Sequence, residues 1–147
     1  MKKLFLFAVL FASSASFAQD SASPEKIVEW FFSGLNQKTP AIMRPLLLNE
    51  SVNFDTLMYI NGEPKVVSRG ATDFLNEFSN IPQSIKLEER ISNVIVRNYG
   101  QTADVHMDYE FYVNDTLQHS GRNYFFLVAV DGQWKIAHTY DTRKSVN

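Results

Sequence analysis

Two apolar runs flank Asp131-Gly132 in the stretch RNYFFLVAVDGQWKIAHTYDTR, Arg122 to Arg143, and this feature limits the fold more than any other. An Asp-Gly pair between strand-like runs is a strong hairpin signal, because both turn positions take φ > 0. Counting outward from a two-residue turn pairs Ala129 with Trp134, Leu127 with Ile136, Phe125 with His138 and Asn123 with Tyr140. The hairpin is then apolar near its turn and polar-aromatic at its far end. The same count sets Arg122 opposite Asp141, where a cross-strand ion pair is the default expectation.

The preceding segment constrains the sheet further. Val105, Met107, Tyr109 and Phe111 alternate with His106, Asp108 and Glu110, the period-two pattern of a strand with one covered face. A strict two-residue turn at Asn114-Asp115 would pair His106 with Asn123 and turn this polar set inward. A one-residue slip exposes large apolar side chains, each worth about 1.5–3 kcal/mol of burial, so the hydrophobic pattern outweighs the turn count. A longer loop or a bulge is therefore predicted between Val113 and Arg122.

Helices are gathered earlier in the chain. Ser23-Pro24-Glu25 combines a capping hydroxyl, a first-turn proline and an acid at the positive end of the dipole. Ile27, Val28, Phe31, Phe32 and Leu35 follow at helical spacing. Asn36 to Lys38 reads as a turn, and Thr39-Pro40 repeats the cap-and-proline signature. Pro45 lacks the amide proton an interior helical position needs, so this second helix is expected to be short, kinked or broken near Arg44. Val52 to Ile60 and Lys65 to Arg69 read as a hairpin about Asn61-Gly62, with Pro64 marking an edge strand. Ala71 to Ser79 carries Phe74, Leu75 and Phe78 as a third amphipathic helix. Strands at about Ile85 to Asn98, Ala103 to Val113, Gly121 to Val130 and Trp134 to Tyr140 complete the order. Helices early and an antiparallel meander late predict an α+β domain, three helices packed on a strongly curved, mostly antiparallel sheet.

The first eighteen residues stand apart: Lys2-Lys3, an apolar run from Leu4 to Ala12, then Ser16-Phe17-Ala18 before Gln19. This is the pattern of a secretory signal peptide cleaved after Ala18, and the apolar run is too short for a mature membrane span. Residues 19–147 then form a single exported domain, periplasmic or secreted, with no membrane attachment after cleavage. Lys2 and Lys3 leave with the leader, so the mature domain carries about four net negative charges. With no cluster of Lys and Arg it lacks the electrostatic footprint of a nucleic-acid binder. The three histidines have no metal-ligand spacing and cysteine is absent, so no metal and no disulfide are expected. No phosphate-binding glycine loop or G-x-S-x-G elbow occurs either, and no cofactor is expected.

In this order of elements the chain resembles the nuclear transport factor 2-like superfamily, the cystatin-like α+β cone that includes SnoaL-like polyketide cyclases, ketosteroid isomerase, scytalone dehydratase and limonene-epoxide hydrolase. The residues that carry the resemblance are the first helix ending in Gly34-Leu35-Asn36, the passage from Leu46 to Phe54, the Arg69-Gly70 helix entry, and Asp131-Gly132-Gln133-Trp134-Lys135-Ile136. The resemblance implies a cone whose open end holds a mostly apolar pocket, often in a homodimer joined through the sheet. Its wall would receive Trp30, Phe31, Tyr59, Asn123, His138 and Tyr140, a mixture suited to a small apolar or amphipathic molecule. Tyr124, Phe126 and Val128, on the outer side of the hairpin, would face a second copy or another protein.

A catalytic reading rests on Asp55, which matches the aspartate base of ketosteroid isomerase-like members, or on His138, with Asp141, Asp55 or Tyr140 near it as the His-Asp pairs of dehydratase-like and cyclase-like members have. Such a base would work beside an oxyanion held by acid donors. The position matching the first-helix tyrosine donor is about Phe31, which cannot donate. His106 and His119 are expected in solvent, on the outer face or in a loop. The leading expectation is an exported small-molecule-binding domain of SnoaL-like type. The alternatives are an isomerase, dehydratase or cyclase using Asp55 or His138, and a protein-interaction module working through the outer sheet face.

Overall fold

The computed structural model describes residues 22–145, so the leader lies outside the described residues. Helix α1 spans Pro24–Asn36, and Ser23 caps it by accepting the Lys26 amide at Oγ, 3.2 Å away. Gln37 and Lys38 turn the chain into α2, Pro40–Met43, which gives way to a 3-10 turn over Arg44–Leu46. That break falls where Pro45 removes an amide donor. Thr39 does not cap α2; its hydroxyl donates to the Gln37 carbonyl instead.

Strands β1 (Asn53–Ile60) and β2 (Glu63–Gly70) form the first hairpin, and α3 follows over Ala71–Ser79. Strands β3 (Leu87–Asn98), β4 (Thr102–Val113), β5 (Thr116–Val130) and β6 (Gln133–Ser145) make the meander. The sheet order is β2-β1-β6-β5-β4-β3. Among the strand pairs of the described residues only β1–β6 is parallel, so a mostly antiparallel, curved sheet of six strands carries the three helices as an α+β cone. β2, with Pro64, is an edge strand, as its proline requires.

The inner face is apolar over most of its area. Val105 and Met107 from β4, Leu127 from β5 and Ile136 from β6 are fully buried, together with Met43 and Leu75 from the helices. Helix α1 places Val28, Phe31, Phe32 and Leu35 against them.

Register decides which polar groups share that face. The Asn114-Asp115 turn has two residues, but β5 bulges at Gln118, so Phe111 pairs with His119 and His106 with Tyr124. The alternation of β4 keeps its apolar residues inward, as its hydrophobic pattern demands.

The last hairpin departs from the simple count. Ala129 pairs with Trp134 and Leu127 with Ile136, but Ala137 is a bulge, and beyond it Phe126 pairs with His138 and Phe125 with Thr139. Tyr124 pairs with Tyr140, Asn123 with Asp141 and Arg122 with Thr142. The extra residue flips the end of β6: His138 and Tyr140 move to the outer face, while Thr139, Asp141 and Arg143 turn inward. The expected Arg122–Asp141 pair is therefore not made, and Arg122 Nε instead lies 2.8 Å from Asp108 Oδ1.

At Gly121 the neighbouring strand leaves no room for a side chain. A Cβ there would lie 1.8 Å from the Thr142 carbonyl oxygen, so no larger residue fits without moving the backbone.

Candidate functional site

A cavity of about 210 Å³ lies between the inner face of the sheet and helices α1 and α3. Seven phenylalanines line it: Phe31, Phe32, Phe54, Phe74, Phe78, Phe111 and Phe125. Phe54 stacks on Phe74 with ring centres 3.9 Å apart, and Phe125 meets Phe31 edge-on at 5.4 Å. Such contacts hold each ring in one orientation, so the apolar wall is stiff.

The polar part of the lining comes from the inward residues of β3 to β6, on the same sheet face that carries Phe111 and Phe125. Glu89 is its most unusual member. Its backbone is clamped to the end of α1: the Glu89 amide donates to Asn36 Oδ1 at 2.7 Å, and Asn36 Nδ2 donates to the Glu89 carbonyl at 3.4 Å. Its Oε1 accepts Asn123 Nδ2 at 2.6 Å. Among the described residues Oε2 has no hydrogen-bond partner, and Glu89 lines the cavity. Burial pushes this carboxyl up to about 7; Asn123 opposes the shift, the Asp141 charge adds to it and Arg143 works against it.

Beside Glu89, Asp141 accepts two hydroxyls, Thr56 Oγ1 at 2.6 Å and the Tyr109 hydroxyl at 2.9 Å. The Tyr109 oxygen also lies 3.2 Å from His119 Nδ1. Tyr109 has one proton and spends it on the carboxylate, so His119 supplies the proton on Nδ1 and keeps Nε2 bare. Burial, then the Arg143 charge, lowers His119 to about 4, so the imidazole is neutral at ordinary pH. Burial and then Asp141 drive the Tyr109 hydroxyl well above its usual range, so it stays a donor. Arg143 Nε sits 3.9 Å from Asp141 Oδ2, and it is shielded with no hydrogen-bond partner among the described residues. Arg69 and Glu77 pair at 3.1 Å among the same lining residues.

Of the residues expected at a pocket, Phe31 and Asn123 line this cavity, and Trp30, Tyr59, His138 and Tyr140 do not. Trp30 is 42% exposed on the outer side of α1, and Tyr59 is 68% exposed near the tip of the first hairpin. His138 and Tyr140 are displaced by the bulge at Ala137. Asp55 borders the cavity, but it pairs with Tyr140 on the outer parity of β1, and its Oδ2 lies 3.3 Å from His138 Nε2. These two candidate bases therefore meet each other on the outside of the sheet and do not converge on the cavity. His119, expected in solvent, lines the cavity and stacks on Phe111, because the Gln118 bulge turns it inward.

Among the described residues no cluster of three or more histidine, aspartate or glutamate side chains is arranged to hold a metal ion. Aromatic rings together with a carboxyl, a hydroxyl–carboxylate network and a neutral imidazole border a ligand-sized cavity.

The cone is the nuclear transport factor 2-like fold. It superposes on a nuclear transport factor 2-like protein of unknown function from Shewanella baltica with a TM-score of 0.62, at 13% identity over 83% of this chain and 91% of that one. A nuclear transport factor 2-like protein from Cytophaga hutchinsonii gives 0.62 at 18% identity over 80% and 93%. A candidate scytalone dehydratase from Novosphingobium aromaticivorans gives 0.60 at 16% identity over 82% and 80%. No protein-family profile matches the sequence, and no curated protein matches it.

Proposed function

We propose that this chain is an exported domain that binds a small, mostly apolar organic molecule in its cone. The observation that carries the reading is the mixed lining of the cavity: seven phenylalanines and a cluster of buried and half-buried polar groups border about 210 Å³. That space holds about seven waters at roughly 30 Å³ each, which suits one substituted ring rather than a drug-sized ligand. The Glu89 carboxyl, with one oxygen free of hydrogen bonds among the described residues, supports a ligand with a polar group at one end. The leader sequence supports export. The outer-face residues Tyr124, Phe126 and Val128, with Phe126 42% exposed, support a homodimer joined through the sheet.

Native mass spectrometry after incubation with a cell-envelope extract tests the reading. The wild-type domain is expected to retain a small organic species that Thr139→Trp and Leu35→Trp, which block the cavity from its sheet and helix sides, do not. Equal retention by the blocked but folded variants, or none by the wild type, overturns it.

A further inference from the structure

We infer that the ligand of this cavity is a protonated primary amine on a single aromatic ring, with its ammonium group held by Glu89 Oε2 and its ring against the phenylalanine wall. The inference rests on the binding reading above and adds the chemical class. It follows from the charges that border the space. The lining carries four carboxyl groups, Asp55, Glu77, Glu89 and Asp141, against two guanidiniums, Arg69 and Arg143. Glu77 is matched by Arg69, Asp55 turns to His138, and Asp141 is filled by two hydroxyls with Arg143 beside it. Asp55 and Glu89 are left without a guanidinium; Asp55 stands on the outer parity of β1, so Glu89 is the surplus acid of the inner face, and its one protein donor among the described residues, Asn123, occupies Oε1. His119 adds no positive charge, being neutral.

An ammonium group supplies what this site lacks, a donor for Oε2 and a charge to match a carboxylate kept from water. The phenylalanines of the lining supply apolar surface for the ligand's ring. A ligand carboxylate would instead meet the charges of Asp141 and Glu89, with the guanidinium of Arg143, itself 3.9 Å from Asp141, as the one cation beside them among the described residues.

Binding of a cation requires ionised Glu89, so uptake is linked to proton release. The groups facing Glu89 are Asp141 and Arg143 from β6, Tyr109 from β4, and His119 and Asn123 from β5. Of these His119 titrates lowest, at about 4, and Tyr109 well above the neutral range, so Glu89 dominates the proton linkage near neutrality. Amine affinity then rises with pH up to about 7 and levels off above it.

The test is isothermal titration with benzylamine, benzyl alcohol and benzoate, three probes of one ring and different charge, at about pH 6 and about pH 8. Benzylamine, protonated at both, is expected to bind tightest and to gain about tenfold between the two pH values. Glu89→Gln is expected to lose about tenfold or more of the benzylamine affinity at the higher pH, and its pH dependence, while keeping benzyl alcohol binding. Glu89→Asp, which keeps the charge, is expected to keep the pH dependence. Preferential binding of benzoate or benzyl alcohol, or unchanged benzylamine binding in folded Glu89→Gln, overturns the amine assignment and leaves the binding reading standing. Failure of all three probes overturns this ligand class, and retention of a different species from the envelope extract would then separate that failure from failure of the binding reading.

Discussion

Replacing Glu89 with glutamine tests the electrostatics of the cavity without any ligand. The carboxyl is held at about 7 in the folded protein against an ordinary value of 4.5. The folded state therefore binds more protons than the unfolded state between these values, so stability is lost as pH rises through that window. At 1.36 kcal/mol per unit, ionising Glu89 in place costs about 3 kcal/mol by pH 8, relative to the unfolded chain. Glutamine keeps an acceptor for Asn123 Nδ2 and cannot ionise. His119, lowered to about 4, acts with the opposite sign: stability is lost as pH falls from its ordinary 6.5. Because both proteins contain His119, its effect cancels in the difference. Urea unfolding at a series of pH values is expected to show the variant gaining about 3 kcal/mol over wild type between about pH 4.5 and pH 8, with unchanged m-values. A difference that does not vary with pH refutes the placement of an ionisable carboxyl in this apolar surround.

Four further outcomes follow from other parts of the molecule. Gly121→Ala should destabilise by about 3 kcal/mol or more in chemical denaturation, because its Cβ would lie 1.8 Å from a backbone oxygen that cannot yield as a side chain can. Lys38, 8% exposed, donates through Nζ to the carbonyls of Pro82, Gln83 and Ile85. Lys38→Met should cost about 1–3 kcal/mol and speed amide exchange in residues 81–86. Phe126→Lys on the outer face should convert a dimer to a monomer in sedimentation velocity without lowering the melting temperature of the isolated domain. In an exporting host, the intact mass of the mature protein should correspond to a chain beginning at Gln19.

The element order was legible because local signals agreed with the global fold. The proline caps before α1 and α2, the Asn61-Gly62 and Asp131-Gly132 turns, and the alternation of β4 each named their own element. The cavity wall was less so, because two bulges decide it and a bulge leaves little trace in composition. At Ala137 one extra residue exchanges His138 and Tyr140 for Thr139, Asp141 and Arg143, so a correct turn produced a wrong inner face from Phe126 onward. The hydrophobic pattern called for a longer loop or a bulge between Val113 and Arg122, but the consequence of the bulge at Gln118, that His119 turns inward, depends on where the extra residue sits. Glu89 did have a signal: it shares a parity with Leu87 and Ile91, and a lone acid on an apolar strand face marks a buried polar site. Asp55, by contrast, matched a catalytic position by resemblance alone; it borders the cavity, but the parity of β1 sets its Oδ2 against His138.

Methyl-resolved NMR during titration with single-ring probes tests the central claim most directly. Leu35 and Thr139 lie on the cavity lining, whereas Leu57 and Val128 are on the outer parity of the sheet. The account predicts saturable shifts at the methyls of Leu35 and Thr139, with Leu57 and Val128 unmoved. Shifts confined to Leu57 and Val128, or no saturable shift at the lining methyls with any probe, would contradict it.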